Sequence, residues 1–139
     1  MIALDPAALG VGLPTLLLQF AVTLVLLIIG IAIYMAVTPF RERELIAQGN
    51  PAAATALSGA VVALAIPLAA LLATTAILID LIVWGLVAIV LQLVTVVIVS
   101  HLLRGMRGMI EAGHVAAALP IVAAQLAIAL LNAAAMVPV

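Results

Sequence analysis

The sequence predicts an all-α membrane protein with four transmembrane helices. Of its 139 residues, 70% are hydrophobic and only 6% are charged, whereas a soluble domain is about half apolar and about a quarter charged. A chain of this composition has too little polar surface to face water on all sides, so an integral membrane protein is the class that fits. The apolar residues fall into four runs, and each is long enough to cross a hydrocarbon core of about 30 Å.

The four runs cover residues 14–37, 51–73, 81–103 and 115–137. Pro14 is expected in the first turn of the first helix, where the missing N–H of proline costs nothing. The first helix should end at Thr38, because Pro39 disfavours a helical conformation in the residue before it. We expect Thr38 to cap a brief interfacial helix that starts at Pro39.

Turn signals separate the remaining runs. Gly49 is expected to close the first loop in a left-handed conformation, and Asn50 should then cap the second helix with Pro51 at its first position. The turn over residues 74–80 has the weakest signal, and Asp80 is expected to cap the third helix.

The two halves of the chain resemble each other at an offset of 64 residues. Arg43 then falls on Arg107, Gly49 falls on Gly113, and a run of three alanines matches in each half. Each half consists of an aliphatic helix, a basic loop and an alanine-rich helix. The sequence therefore predicts one domain over residues 1–139, built as two parallel-related helical hairpins, with repeat 1 at about 14–73 and repeat 2 at about 80–137.

All four basic residues lie in the two loops that follow the first and third runs. Because positive charge accumulates on cytoplasmic loops, both loops are predicted to be cytoplasmic and both termini to lie outside the cytoplasm. The run of charges from Arg41 to Glu44 is expected to be a solvated face or a docking strip. The docking residues would be Arg41, Arg43, Arg104 and Arg107, and the ligand a lipid headgroup or a cytoplasmic or membrane protein partner.

Four amide side chains lie within the apolar runs. By position, Gln92 and Gln125 share one depth in the membrane, and Gln19 and Asn132 share another. Amides can form hydrogen bonds between packed helices, worth about 0.6 kcal/mol each on average, and this is the interpretation we favour. The alternative is a polar pathway between the repeats.

Several kinds of site find no support in the sequence. The chain has no cysteine, and its two histidines with Glu111 are too few for a metal centre that needs three or four ligands. No nucleophile has an evident base partner and no phosphate-binding loop is present, so we predict no cofactor and no enzymatic activity. The net charge of −1 argues against nucleic acid as a partner.

The first loop carries a recognisable motif. The stretch TPFRERELIAQGNPAAA resembles the signature of the YjfL-like bacterial inner-membrane proteins, grouped as domain of unknown function 350, although His114 stands where that pattern has asparagine in its second copy. The resemblance implies a four-helix protein of the bacterial inner membrane and implies no activity. It rests on these residues: Thr38, Pro39, Glu42 or Glu44, Leu45, Ile46, Gly49, Asn50, Ala52, Ala53, Ala54, Gly59, Pro67, Leu68, Trp84, Gln92, Gly113, Ala116, Ala117, Asn132, Ala133, Ala134 and Met136.

Two functions from different classes follow from these observations. The first is a non-enzymatic membrane module that forms homo-oligomers, contacts membrane lipids, and docks a lipid or protein partner through its basic loops. The alternative is a small oligomeric channel or transporter, with a polar pathway near Gln92 and Gln125 facing the axis of the oligomer.

Overall fold

The computed structural model describes residues 5–38 and 41–137, which form six helices. These helices are α1 (Pro6–Val37), α2 (Glu42–Ala47), α3 (Pro51–Thr74), α4 (Leu78–Leu102), α5 (Met106–Glu111) and α6 (Val115–Met136). Four of them, α1, α3, α4 and α6, are long and apolar enough to cross a membrane. The prediction of an all-α protein with four such helices is therefore confirmed.

Helix α1 begins eight residues earlier than predicted. Asp5 caps it by accepting a hydrogen bond from the Ala7 N–H at 3.0 Å, and Pro6 occupies the first turn. Pro14 therefore lies inside the helix, and its predicted place in the first turn is wrong. The reason is that Asp5 and Pro6 already supply both start signals. At 32 residues, α1 is about 48 Å long, so it exceeds a hydrocarbon core of about 30 Å unless it tilts.

Helices α3 and α6 form the most extensive contact in the molecule. Along this contact the side chains are small, and Ala52, Ala56 and Ala60 on α3 are all buried. A Cβ atom added to Gly59 would lie only 2.6 Å from Cγ2 of Val122, so the Val122 side chain packs directly against the α3 backbone at this glycine. Small residues permit this approach where no hydrophobic effect drives helices together.

Helices α1 and α4 pack beside this central pair. Helix α1 contacts α3 and α4, and α4 also contacts α3 and α6. Gly85 of α4 receives the side chain of Leu26, because an added Cβ there would lie 2.8 Å from Leu26 Cδ1. Most of the leucine, isoleucine and valine side chains of α1 remain exposed on the outer surface, as expected for a surface that faces lipid.

Two further predicted helix starts, those of α4 and α2, differ from the structure. Helix α4 begins at Leu78 with Ile77 as its N-cap, so Asp80 lies in the first turn and does not cap. An aspartate in the first turn still interacts favourably with the helix dipole. Helix α2 begins at Glu42 and not after Thr38, whose hydroxyl instead donates to the Tyr34 carbonyl at 2.6 Å in the last turn of α1. Pro39, expected to start that helix, lies outside the described residues.

Candidate functional site

The two basic loops each end in a turn of the same type, one at Gly49 and one at Gly113. Gly49 and Gly113 both have a positive φ, of 81° and 88°, which glycine adopts without a steric penalty. In each loop the glycine N–H donates to the carbonyl three residues earlier at 2.9 Å, and the next N–H donates to the carbonyl five residues earlier at 2.9 Å. This is the Schellman arrangement that closes a helix. The left-handed conformation predicted for Gly49 is confirmed.

Asn50 joins the two loops at one end of the molecule. Its side-chain oxygen accepts from the Ala53 N–H at 3.0 Å, as predicted for an N-cap. Its side-chain nitrogen also donates to the carbonyls of Ile110 and Glu111, at 2.8 and 3.1 Å. His114, 64 residues further on, caps α6 without any side-chain hydrogen bond. A single asparagine therefore connects the first loop to the end of α5.

A cleft of about 360 Å³ opens beside the second loop. Its polar lining comes from Ser100, His101, Arg104 and Arg107, and its apolar lining from the ends of α1 and α4, from α5 and from α6. Arg107 also pairs with Glu111 at 3.0 Å, an exposed pair of the kind that contributes about 0–1 kcal/mol. Cationic and apolar groups therefore line the same cleft.

The four predicted docking residues do not lie together in the structure. Arg104 and Arg107 line the cleft beside the second loop. Arg41 pairs with Glu44 at 3.3 Å, and both line a shallower groove of about 250 Å³ between α2 and α5, where Arg107 and Glu111 form the opposite side. Arg43 is exposed and lies outside both depressions.

Glu42 differs from its three charged neighbours, and the expectation of a wholly solvated run is wrong at this position. Its side chain is only 3% exposed, whereas Arg41, Arg43 and Glu44 are exposed. Neither carboxylate oxygen has a hydrogen-bond partner among the described residues. The Tyr34 phenol lies near the carboxylate without reaching hydrogen-bond geometry, and it favours the ionised form.

Burial dominates the chemistry of Glu42. Loss of hydration raises the pKa of this carboxyl from 4.5 to about 7, and the smaller effect of the Tyr34 phenol lowers it. The helical periodicity of α2 contains a signal for this burial. Glu42 precedes Leu45 and Ile46 by three and four residues, which puts it on the face that packs against the core.

The four amides in the apolar runs each lie at a contact between elements. Three of them donate to backbone carbonyls: Gln19 to Ala76 at 2.9 Å, Gln92 to Gln125 at 2.8 Å and Asn132 to Ala88 at 3.2 Å. Gln125 receives the bond of Gln92 at its backbone, and both of its side-chain polar atoms are buried without a partner. Gln92 and Gln125, which were predicted to share one depth, are therefore joined by a hydrogen bond. Gln19 and Asn132, the other predicted pair, bond instead to Ala76 and Ala88.

One of three comparisons with known proteins found a match. The family model described as "Domain of Unknown Function (DUF350)" matches residues 8–136. No curated protein and no solved structure matches the sequence. The matched region runs from the first turns of α1 to the last residue of α6, so it includes both basic loops and all four long helices. The chain belongs to the DUF350 family of domains of unknown function.

Proposed function

We propose that this protein is a non-enzymatic membrane module that binds anionic phospholipid in the cleft beside its second loop. The observation that carries this proposal is the lining of the cleft, where Arg104, Arg107 and His101 lie next to apolar side chains at the ends of α1 and α4. Arg104 makes no ion pair among the described residues, so its guanidinium can bind a phosphate. The apolar lining suits the start of an acyl chain.

A lipid suits this cleft better than a protein partner does. The apolar residues at its edge, such as Val37, Val97 and Leu103, continue into the exposed aliphatic surface of the long helices. A phospholipid has the same succession of chemistry, from an anionic headgroup to hydrocarbon. A protein partner at the loops remains the other form of the docking hypothesis, and the groove between α2 and α5, with Arg41 and Glu44, is where it would bind.

The lipid test uses purified protein in nanodiscs of phosphatidylcholine with a minor fraction of phosphatidylglycerol. Native mass spectrometry should show retained phosphatidylglycerol on the wild type, and at least a several-fold loss in Arg104→Gln/Arg107→Gln. Arg41→Gln/Arg43→Gln is the matched control, since it removes two exposed charges outside the cleft. Equal retention by the cleft variant and the control would reject the lipid site.

We further propose that the molecule lies in the bacterial inner membrane as two parallel-related hairpins, with both loops in the cytoplasm. The Asn50–Ile110 hydrogen bond supports this, because it puts both loops at one end. The identical bounds of α2 and α5 at an offset of 64 residues, and their identical Gly49 and Gly113 turns, support the internal repeat. Together they favour repeats at about 14–73 and 80–137 in one domain.

We also propose self-association through α1, the least buried of the four long helices. Gly10 and Gly12 on its exposed surface have open space around them, so a second helix can approach the backbone there. Gly12→Leu should shift the mass of the nanodisc-embedded particle towards the monomer. A wild-type particle with the mass of one chain would reject this proposal.

The alternative of an oligomeric channel receives less support. Gln92 and Gln125 are each about 1% exposed and face each other inside one chain. An axis between copies would have to be lined by other side chains. The matching test is flux through reconstituted vesicles, which Gln92→Leu with Gln125→Leu should leave unchanged.

A further inference from the structure

The interior of the helix bundle contains an unusual group of polar atoms. Six buried side-chain atoms have no hydrogen-bond partner among the described residues: both oxygens of Glu42, the oxygens of Gln92, Gln125 and Asn132, and the nitrogen of Gln125. An unpaired buried polar group costs about 1–3 kcal/mol, and an unpaired charge costs more. Five of the six atoms are oxygens, so the interior has an excess of acceptors.

Two of these side chains, Glu42 and Gln125, lie close to the phenol of Tyr34 inside the bundle. Tyr34 lies near the end of α1, and its phenol makes no hydrogen bond to the side chain of Glu42 of α2 or to that of Gln125 of α6. Gln92 of α4 then bonds to the backbone of Gln125. Side chains of α1 and α6 therefore lie near one carboxyl group of α2, and the residue that bears it is only 3% exposed.

The fold does not require polar residues at these places. At an offset of 64 residues, each buried polar side chain falls on an apolar one in the other half of the chain. Tyr34 corresponds to Ile98, Glu42 to Met106, Gln92 to Ile28, Gln125 to Val61 and Asn132 to Leu68. Because α5 forms the same turn as α2 with methionine in the place of Glu42, the carboxyl is not needed to form the loop.

Among the residues that the structure describes, no cation forms an ion pair with the buried carboxyl. On its own helix, Arg41 pairs with the exposed Glu44, and Arg43 is solvent-exposed. Helices α3 and α6 contain no ionisable residue, and Tyr34 is the one ionisable side chain within α1. Helix α5 contributes Arg107 and Glu111, which pair with each other on the surface, and His101 of α4 lines the outer cleft.

We propose that Glu42, Tyr34 and Gln125 form an internal proton-binding site that exchanges its proton with the loop face. A proton removes the unpaired charge, and it turns one carboxylate oxygen into a donor in a group that has too many acceptors. The exposed neighbours Arg41 and Arg43 put the entrance at the loop end. The ligand is therefore a proton held by the carboxyl group of Glu42, on the side of the bundle interior where Gln92 bonds to Gln125.

The test is infrared difference spectroscopy on the full chain in nanodiscs, following the protonated carboxyl stretch from about pH 3 to about pH 9, so that both ordinary and raised carboxyl pKa values fall inside the range. In the Glu44→Gln/Glu111→Gln variant, Glu42 is the one glutamate left, so isotope-labelled glutamate reports on it alone. Both substituted side chains are exposed, so this variant should fold. The labelled band should titrate with a midpoint of about 7, and a midpoint in the ordinary carboxyl range near 4.5 would overturn the proposal.

Two further measurements test the composition of the site. In the same background, Tyr34→Phe should shift the midpoint upward, because the phenol favours the ionised carboxyl. An unchanged midpoint would remove Tyr34 from the site and overturn the proposal as stated. Replacing choline chloride with sodium chloride at equal concentration should leave the midpoint unchanged, whereas a lower midpoint in sodium would show that a metal cation competes for Glu42.

Discussion

The protonation of Glu42 should make the stability of the folded protein depend on pH. The folded protein holds the Glu42 proton more tightly than the unfolded chain does, because the folded pKa is raised from 4.5 to about 7. The stabilising contribution is therefore fully present below about pH 4.5, and it is lost as the pH rises through about 7. Above that pH the protein retains an uncompensated buried carboxylate.

We expect Glu42→Gln to remove this pH dependence. The melting temperature of the wild type in detergent micelles should fall between pH 5 and 8, while that of the variant should change less. At pH 8 the variant should melt higher, by about 2–4 °C for each kcal/mol recovered in a chain of this size. Glu44→Gln is the control, because Glu44 is exposed and should leave the wild-type slope in place. Parallel slopes for wild type and Glu42→Gln would contradict this prediction.

Asn50 has two structural roles that substitutions can separate. Asn50→Ala removes the cap of α3 and both hydrogen bonds to the end of α5, so we expect a loss of about 2 kcal/mol. Asn50→Asp keeps an acceptor for the Ala53 N–H but has no donor for the carbonyls of Ile110 and Glu111. Its melting temperature should therefore lie between those of the wild type and the alanine variant. If both variants melt like the wild type, the link between the loops has no energetic importance.

His114 occupies the position of Asn50 in the second half of the chain, so the effect of adding an N-cap can be tested there. His114 provides no side-chain bond to the start of α6, so His114→Asn supplies a missing cap. We expect a gain of about 1 kcal/mol in the free energy of unfolding. His114→Ala provides the comparison, since it removes the imidazole without adding a cap, and it should show no gain. Equal melting temperatures for the two variants would argue against capping.

The contact between α3 and α6 depends on Gly59, which has no side chain to separate the two helices. Gly59→Ala would put a Cβ 2.6 Å from Val122, so the helices must move apart. We expect a loss of about 1–3 kcal/mol, despite the better helix propensity of alanine. Gly59→Ala/Val122→Ala should recover part of the loss. Gly108→Ala serves as the control, because Gly108 of α5 has open space around it and the substitution should be neutral or slightly stabilising.

Helix ends were predictable from the sequence where a residue has one strong conformational preference. Gly49 and Asn50 each have such a preference, and the structure has them in the predicted conformation and role. Pro14 is a weaker signal, because proline is compatible with both the first turn and, at a cost, the interior of a long helix. Asp80 is ambiguous for a similar reason, because an acidic residue suits the N-cap and the first turn alike.

The candidate site was harder to predict than the helices that form it. The four consecutive charges from Arg41 to Glu44 look equivalent in composition, and the one sequence signal that distinguishes Glu42 is its spacing of three and four residues from Leu45 and Ile46. The convergence of Tyr34, Glu42 and Gln125 joins residues as far as 91 positions apart (125 − 34). Periodicity within one helix contains no information on such a contact.

Taken as a whole, the molecule has two chemically different ends. One end has both short helices, all four arginines and the cleft beside the second loop. At the other end the turn between α3 and α4 is fixed by the bond from Gln19 to the Ala76 carbonyl and has Asp80 close by. This asymmetry should orient the chain, since arginine-rich loops stay in the cytoplasm.

The orientation can be tested with single cysteines, because the natural chain has none and offers a clean background. Gln48→Cys and Gly108→Cys introduce exposed thiols in the two basic loops, and Ala76→Cys introduces one in the opposite turn. In intact bacterial cells with a permeable outer membrane, a membrane-impermeant maleimide should label Ala76→Cys alone. In inside-out vesicles the pattern should reverse, with both loop cysteines labelled together. Labelling of one loop cysteine but not the other would contradict the parallel hairpins, and labelling of both in intact cells would invert the proposed topology.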